Sequence, residues 1–196
     1  TIVGVYRSNT PEFGVLIPEN PRITQEVIIP HTASAGAKDG QGISAKIVQQ
    51  PATRVQPVGE VIEVLGERMD PGMEIDIAIR SYDIPAEFPP EVLDQTSEIS
   101  AEVLEEDKQH RVDLRDIPLV TIDDESAKDF DDAVCAWKTK SGSWKLLVAI
   151  ADVSHYVRPG TALDDEARTR GNSVYFPGQV VPMLPELLSN GLCSLN

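Results

Sequence analysis

Six carboxylates fall within ten residues, at Asp123, Asp124, Glu125, Asp129, Asp131 and Asp132. Apolar, strand-like runs flank them, Leu119 to Ile122 before and Ala133 to Trp137 after. A chain that leaves one strand at Asp123 and enters the next near Asp132 can fold these side chains toward one point. Gathering them is costly unless a cation neutralises them. Oxygen donors in that number suit Mg²⁺ or Mn²⁺, and no histidine or thiol lies within the run to favour zinc. Magnesium keeps several waters and takes one or two carboxylates plus substrate phosphate oxygens. That is the coordination of a phosphoryl-transfer site, where metal ions activate water and stabilise the leaving oxygen. Two plainer readings stand beside it. One is a solvated turn. The other is a structural cation, although the Asp-x-Asp-x-Asp-Gly spacing of a calcium loop is absent.

The elements around the run change character along the chain. Ile2 to Tyr6, Phe13 to Ile17 and Glu26 to Ile29 are short apolar runs punctuated by Pro, Gly and Asn. Ile43 to Val48, Val58 to Leu65 and Met73 to Ile79 alternate apolar and polar residues. Five or six short strands in residues 1–82 predict a small closed barrel, such as an oligonucleotide-binding fold, the plainer alternative being a small β-sandwich or barrel with no ligand. Residues 83–112 hold nine acids and two bases. Pro89-Pro90 opens this stretch, and Val92, Leu93, Ile99, Val103 and Leu104 recur with roughly helical spacing. This reads as an acidic linker helix, solvated on one face. From residue 113 the pattern is mixed. Leu119 to Ile122 reads as a strand. Ala133 to Trp137 and Trp144 to Ala151 read as a hairpin, with Leu147 to Ala151 apolar on successive residues and so expected to be buried on both faces. Leu163 to Arg170 reads as a helix stopped by Gly171, Val174 to Phe176 as a strand and Leu184 to Leu188 as a short helix. The fold class is therefore α+β: a small β-barrel over 1–82, a connector over 83–112, and a mixed α/β segment over 113–196.

Composition bounds the function. The chain of 196 residues carries 32 acidic and 17 basic side chains, so a simple polyanion-binding surface is not expected unless the acids are gathered for metals. No run of about 18 apolar residues exists, which excludes an apolar membrane helix. Thr1 is not a start methionine and no signal pattern follows it, so the chain reads as part of something longer. Two cysteines, Cys135 and Cys193, are too few for a disulfide scaffold and point to a reducing, cytoplasmic setting, with both thiols buried. His31, His110 and His155 have no ligand spacing and read as surface or core residues. Asp152 follows an apolar strand and reads as a local hydrogen-bond acceptor. Arg168 and Arg170 fit either phosphate contact or the end of a helix.

Five motifs, in order, resemble one family. They are Arg111 to Asp123, Asp129-Phe130-Asp131-Asp132-Ala133, Val148 to Ser154, Arg170 to Pro177, and Pro182 to Asn196. Together they closely resemble the opening of the catalytic domain of the ribonuclease II/ribonuclease R (RNB) family, in detail the bacterial ribonuclease R branch. Val58 to Arg80 resembles the second cold-shock domain that precedes that catalytic domain; the likeness is weaker over residues 1–57.

The resemblance implies a 3′–5′ exoribonuclease that hydrolyses single-stranded RNA processively to nucleoside 5′-monophosphates with Mg²⁺, Mn²⁺ being an alternative. The family's four motif aspartates fall on Asp123, Asp129, Asp131 and Asp132. By resemblance, Asp123 and Asp132 ligate metal with Asp129 helping to hold it, and Asp131 serves the chemical step, either holding a second metal or orienting the attacking water. Tyr175 falls on an aromatic that packs against RNA near its 3′ end. Asp124 and Glu125 match no catalytic position and read as solvated loop acids. The partner implied is the 3′ end of single-stranded RNA, with no membrane involved. The barrel offers only Tyr6, Phe13 and Tyr82 as aromatics, so its RNA contacts are expected to be weak, around Arg7, Lys46 and Arg54. The family's catalytic domain extends past the last motif. The resemblance therefore implies that further chain completes the site, that these residues alone are nearly inactive, and that uncovered apolar faces favour self-association. A noncatalytic RNA-binding or regulatory module that keeps the aspartates for structure is the alternative.

Overall fold

The computed structural model describes residues 1–67 and 70–195; Arg68, Met69 and Asn196, the last residue of the final motif, lie outside the described residues. The chain divides into two compact units, Thr1–Ala86 and Glu87–Asn196.

The first unit is built on a five-stranded closed barrel, as the alternation predicted. Its strands are β1 (Ile2–Arg7), β2 (Phe13–Pro18), β3 (Val27–Pro30), β4 (Gln41–Gln49) and β5 (Val58–Glu67). Around the barrel they run β1-β2-β3-β5-β4, and β1 closes antiparallel onto β4. Only the β3–β5 pairing among these is parallel. Inward residues Tyr6, Leu16, Val27, Ile29, Ile43 and Ala45 form one core. Each large aliphatic among them contributes roughly 1.5–3 kcal/mol by leaving water. β1 and β2 approach closely because residue 4 is glycine: a Cβ there would lie 2.1 Å from the Ile17 carbonyl oxygen.

Met73 to Ile79 is helix rather than a sixth strand. It belongs to α1 (Met73–Ser81), which packs on β1 and β5 and buries Met73 and Ile79. Local signals outweigh the period-two pattern. Glu74 and Asp76 occupy the first turn and Arg80 the last, matching the helix dipole, and Gly72 at φ 90° supplies the left-handed turn before it. Arg80 then forms a two-pronged ion pair with Glu63 of β5, at 2.8 and 2.9 Å.

In the second unit, α2 (Pro90–Ser97) begins at a proline as expected but is shorter than the predicted linker helix. The Thr96 and Ser97 hydroxyls bond back to the carbonyls of Val92 and Asp94, and the chain turns after Glu98. Only Val92 is fully buried, while Leu93, Val103 and Leu104 stay exposed. The predicted strand over Leu119 to Ile122 is a single bridge between Val120 and Val134, because Pro118 lacks the amide to extend the ladder. β6 (Asp132–Lys138) and β7 (Trp144–Ile150) form the expected hairpin. Its apolar residues are not buried on both faces: Trp144, Leu146, Val148 and Ile150 point to solvent, since this two-stranded sheet has no covering layer among the described residues. Cys135 is correspondingly half-buried, and Cys193 is buried as expected.

α3 (Val153–Tyr156) and α4 (Ala162–Arg170) follow, then the small hairpin of β8 (Val174–Phe176) and β9 (Gln179–Val181). The helix expected over Leu184 to Leu188 starts later and ends in a π-helical turn over Leu188–Leu192. Val92, Leu163, Leu184, Leu188 and Cys193 form the core. Arg170 is nearly inaccessible: it stacks on Phe88 at 3.7 Å and donates to Glu166, the Pro182 carbonyl and the Glu87 carbonyl, so it is a structural tie. Arg168 pairs with Asp164 on the surface. Among the described residues no helix is long and apolar enough to cross a membrane.

Candidate active site

The aspartate run leaves the Val120 bridge and re-enters sheet at Asp132, the first residue of β6. Asp123 is exposed, with Oδ1 accepting from the Asp124 amide at 2.7 Å. Asp124 makes the turn: its Oδ1 accepts from the Ser126 amide at 2.9 Å and hydroxyl at 2.6 Å. The Ser126 bonds lower its pKa, and its role is local shape. Glu125 is solvent-exposed.

Residues 128–131 are held from two directions. On one side the Ser194 hydroxyl donates to the Lys128 carbonyl at 2.8 Å and accepts from the Phe130 amide at 3.0 Å. The Leu195 amide donates to the Phe130 carbonyl at 2.9 Å. On the other, the Ala151 amide donates to the Asp131 carbonyl at 2.9 Å, extending the β6–β7 ladder by one bond. Ser194 and Leu195 were visible in sequence only as part of a motif, since a contact across more than 60 residues needs the fold.

The four motif aspartates meet electrostatically. The Asp131 carboxyl is pushed above the usual carboxylate range, first by partial desolvation and then by Asp129, Asp132 and Asp123. Every influence on it acts in that direction, and no lysine or arginine among the described residues opposes them. Such a group of hard oxygen donors without a counter-charge fits a divalent cation in its chemistry. Among the described residues, however, no three histidine, cysteine, aspartate or glutamate side chains converge into a finished ligand set.

Tyr175 stands on β8 with its ring exposed and its hydroxyl donating to Asp129 Oδ2 at 2.5 Å. That bond, followed by partial burial, raises the phenol's pKa. Asp152 accepts from Arg111 at 2.7 Å and Ser154 at 3.0 Å, and these bonds lower its pKa. Cys193, buried near Asp152 and Asp131, has its thiol pushed up to about 11, chiefly by desolvation.

The barrel presents little for stacking. Tyr6 is fully buried under a hydrogen bond to His31, Phe13 is half-buried, and Tyr82 is exposed but caps α1 rather than standing on the sheet. Arg7 is paired with Asp39, while Lys46 and Arg54 are exposed.

Residues 111–196 match the family model of the RNB domain, and residues 16–89 match that of the cold shock domain. Ribonuclease R of Vibrio cholerae is 56% identical over 184 residues, covering 94% of this chain and 22% of its own length. The structure of Mycoplasma genitalium RNase R in complex with double-stranded RNA superposes with a TM-score of 0.87 at 32% identity, over 100% of this chain and 34% of that one. The same protein in complex with ribose methylated single-stranded RNA gives the same score. Yeast Ssd1, described as a pseudonuclease, shares the fold at a TM-score of 0.69 and 19% identity, over 96% of this chain and 24% of its own. The chain spans less than half the length of the curated relatives it matches.

Proposed function

The chain belongs to the RNB family, in its ribonuclease R branch, and we propose that it carries the metal-holding aspartates of a 3′–5′ exoribonuclease acting on single-stranded RNA in the cytoplasm. Residues 1–82 form the barrel ahead of the site, 83–112 the acidic connector and 113–196 the first part of the catalytic domain. Further chain completes the site. The observation that carries the reading is Asp131, whose carboxyl is pushed up by partial desolvation and by Asp129, Asp132 and Asp123, with no lysine or arginine among the described residues acting against them.

In this reading Asp123, Asp129 and Asp132 hold Mg²⁺, or Mn²⁺ in its place. A metal held there would polarise the scissile phosphate and lower the pKa of a bound water. Asp131 orients the attacking water toward phosphorus. As the water oxygen bonds to phosphorus the P–O3′ bond breaks; O3′ takes up a proton to become the 3′-hydroxyl of the shortened RNA, and the released nucleotide carries the 5′-phosphate. Tyr175 lies beside Asp129, where an exposed ring can stack on a base without sequence preference.

A 5′-labelled single-stranded RNA with Mg²⁺ and the longest chain containing this sequence tests it. A ladder shortening from the 3′ end, lost with chelator and with Asp131→Asn, is the expected result. The second reading is a noncatalytic RNA-binding or regulatory module that keeps the aspartates for structure; the fold itself recurs in yeast Ssd1, a pseudonuclease. Intact RNA that stays bound, equally in the Asp131→Asn variant, would select it.

A further inference from the structure

We propose that Ser194 is a positioning residue for the aspartate run, its hydroxyl and the adjoining Leu195 amide fixing the backbone from which Asp129 and Asp131 project. The inference rests on the metal-binding reading above. The two hydroxyl bonds bracket Asp129, one to the carbonyl before it and one from the amide after it. The Leu195 bond takes the next carbonyl, that of Phe130, and Ala151 takes the one after. Four backbone groups between residues 128 and 131 thus have fixed partners.

Three features make the hydroxyl specific for this task. It both donates and accepts, so alanine would leave the Lys128 carbonyl and the Phe130 amide without this partner. Its own position is set by the core: the Ser194 amide bonds to Gly191, the Cys193 amide to Leu188, and Leu188 and Cys193 are both buried. It also acts where force is needed, because mutual repulsion of the carboxylates drives the run apart. Tyr175 restrains the Asp129 side chain, whereas Ser194 restrains its backbone.

The test compares Ser194→Ala, Ser194→Thr and Asp132→Asn with the native protein, in the longest chain containing this sequence. Five quantities are read: exchange of the Phe130 amide, Mn²⁺ affinity without RNA, thermal midpoint, and kcat and KM on single-stranded RNA. Ser194→Ala should speed Phe130 exchange, weaken Mn²⁺ binding about tenfold or more, as loss of a residue supporting metal ligands does, and lower kcat with KM unchanged. Ser194→Thr, which keeps the hydroxyl, should restore all three. Native Mn²⁺ affinity in Ser194→Ala, alongside weakened binding in Asp132→Asn, overturns the role of Ser194 and leaves the metal reading standing. Equal Mn²⁺ binding by native and Asp132→Asn protein overturns the metal reading and the Ser194 role with it. A threonine variant that recovers the thermal midpoint but not Mn²⁺ affinity shows a purely structural serine and also overturns the proposal. If alanine prevents folding, Ser194→Cys, similar in size with a weak donor, takes its place with the same outcomes.

Discussion

The Tyr175 hydroxyl donates to Asp129 Oδ2 at 2.5 Å, joining two residues 46 positions apart. An aromatic expected to meet RNA therefore also holds a carboxylate. The two roles separate by substitution. Tyr175→Phe keeps the ring and loses the bond, and should weaken Mn²⁺ binding about tenfold while leaving KM for RNA unchanged. Tyr175→Ala should impair both. A silent Tyr175→Phe, with only the alanine variant affected, would reduce the residue to stacking.

Asp131 gives a pH signature. Its folded pKa is raised, so the folded chain binds the proton more readily than the unfolded one. The stability linked to that proton is fully present below the unfolded value near 4 and is lost as pH rises through the folded value. Metal-free Asp131→Asn should therefore be more stable than native at pH 7, by about 0.5 kcal/mol after solvent screening. The difference should vanish below about pH 4. Denaturant midpoints across pH check this, and an advantage that grows toward low pH would contradict it.

Glu63 shows the opposite sign. Its bonds to Arg80 hold its pKa below the usual carboxylate range. That contribution is present above the unfolded value and is lost as pH falls through the folded one. Both side chains are partly exposed, so Glu63→Gln should cost under about 1 kcal/mol at pH 7, and the deficit should close as pH falls through the folded value. Melting of the native and variant chains across acidic pH measures it.

Gly14 tests the barrel. A Cβ there would lie 2.5 Å from the Tyr6 ring, which is fully buried and tied to His31, itself bonded to the Thr10 carbonyl at 2.7 Å. Gly14→Ala should destabilise the barrel by about 1–3 kcal/mol, read as a lower denaturant midpoint. An unchanged midpoint would mean that the ring can move aside.

The open face of β7 should govern self-association. Leu146→Lys changes a residue that is 69% exposed, so stability should move by less than about 0.5 kcal/mol. Association of the chain in sedimentation velocity should fall. Association that persists would place the contact elsewhere.

What was legible in sequence follows physical range. β1 to β5 were readable because alternation and Gly or Pro punctuation are local. Met73 to Ile79 misled because seven residues of period two also fit a short helix once acids lead and a base closes it. Leu147 to Ala151 misled because an apolar run shows a preference for burial and not the layer that satisfies it. The four aspartates were recognisable from their spacing and motif. Their ties to Tyr175 and Ser194 were not, since these join segments 46 and 64 residues apart in sequence.

That separation also orders events during synthesis. Asp123 to Asp132 are translated well before Ser194. At about 5–20 residues per second the interval is several seconds. Throughout it, the nascent chain holds all four carboxylates without the hydroxyl that fixes the run. Closing so wide a loop also comes late on entropic grounds. The acidic run therefore emerges unformed, and takes its native shape only after the turn that carries Ser194 has packed into the core.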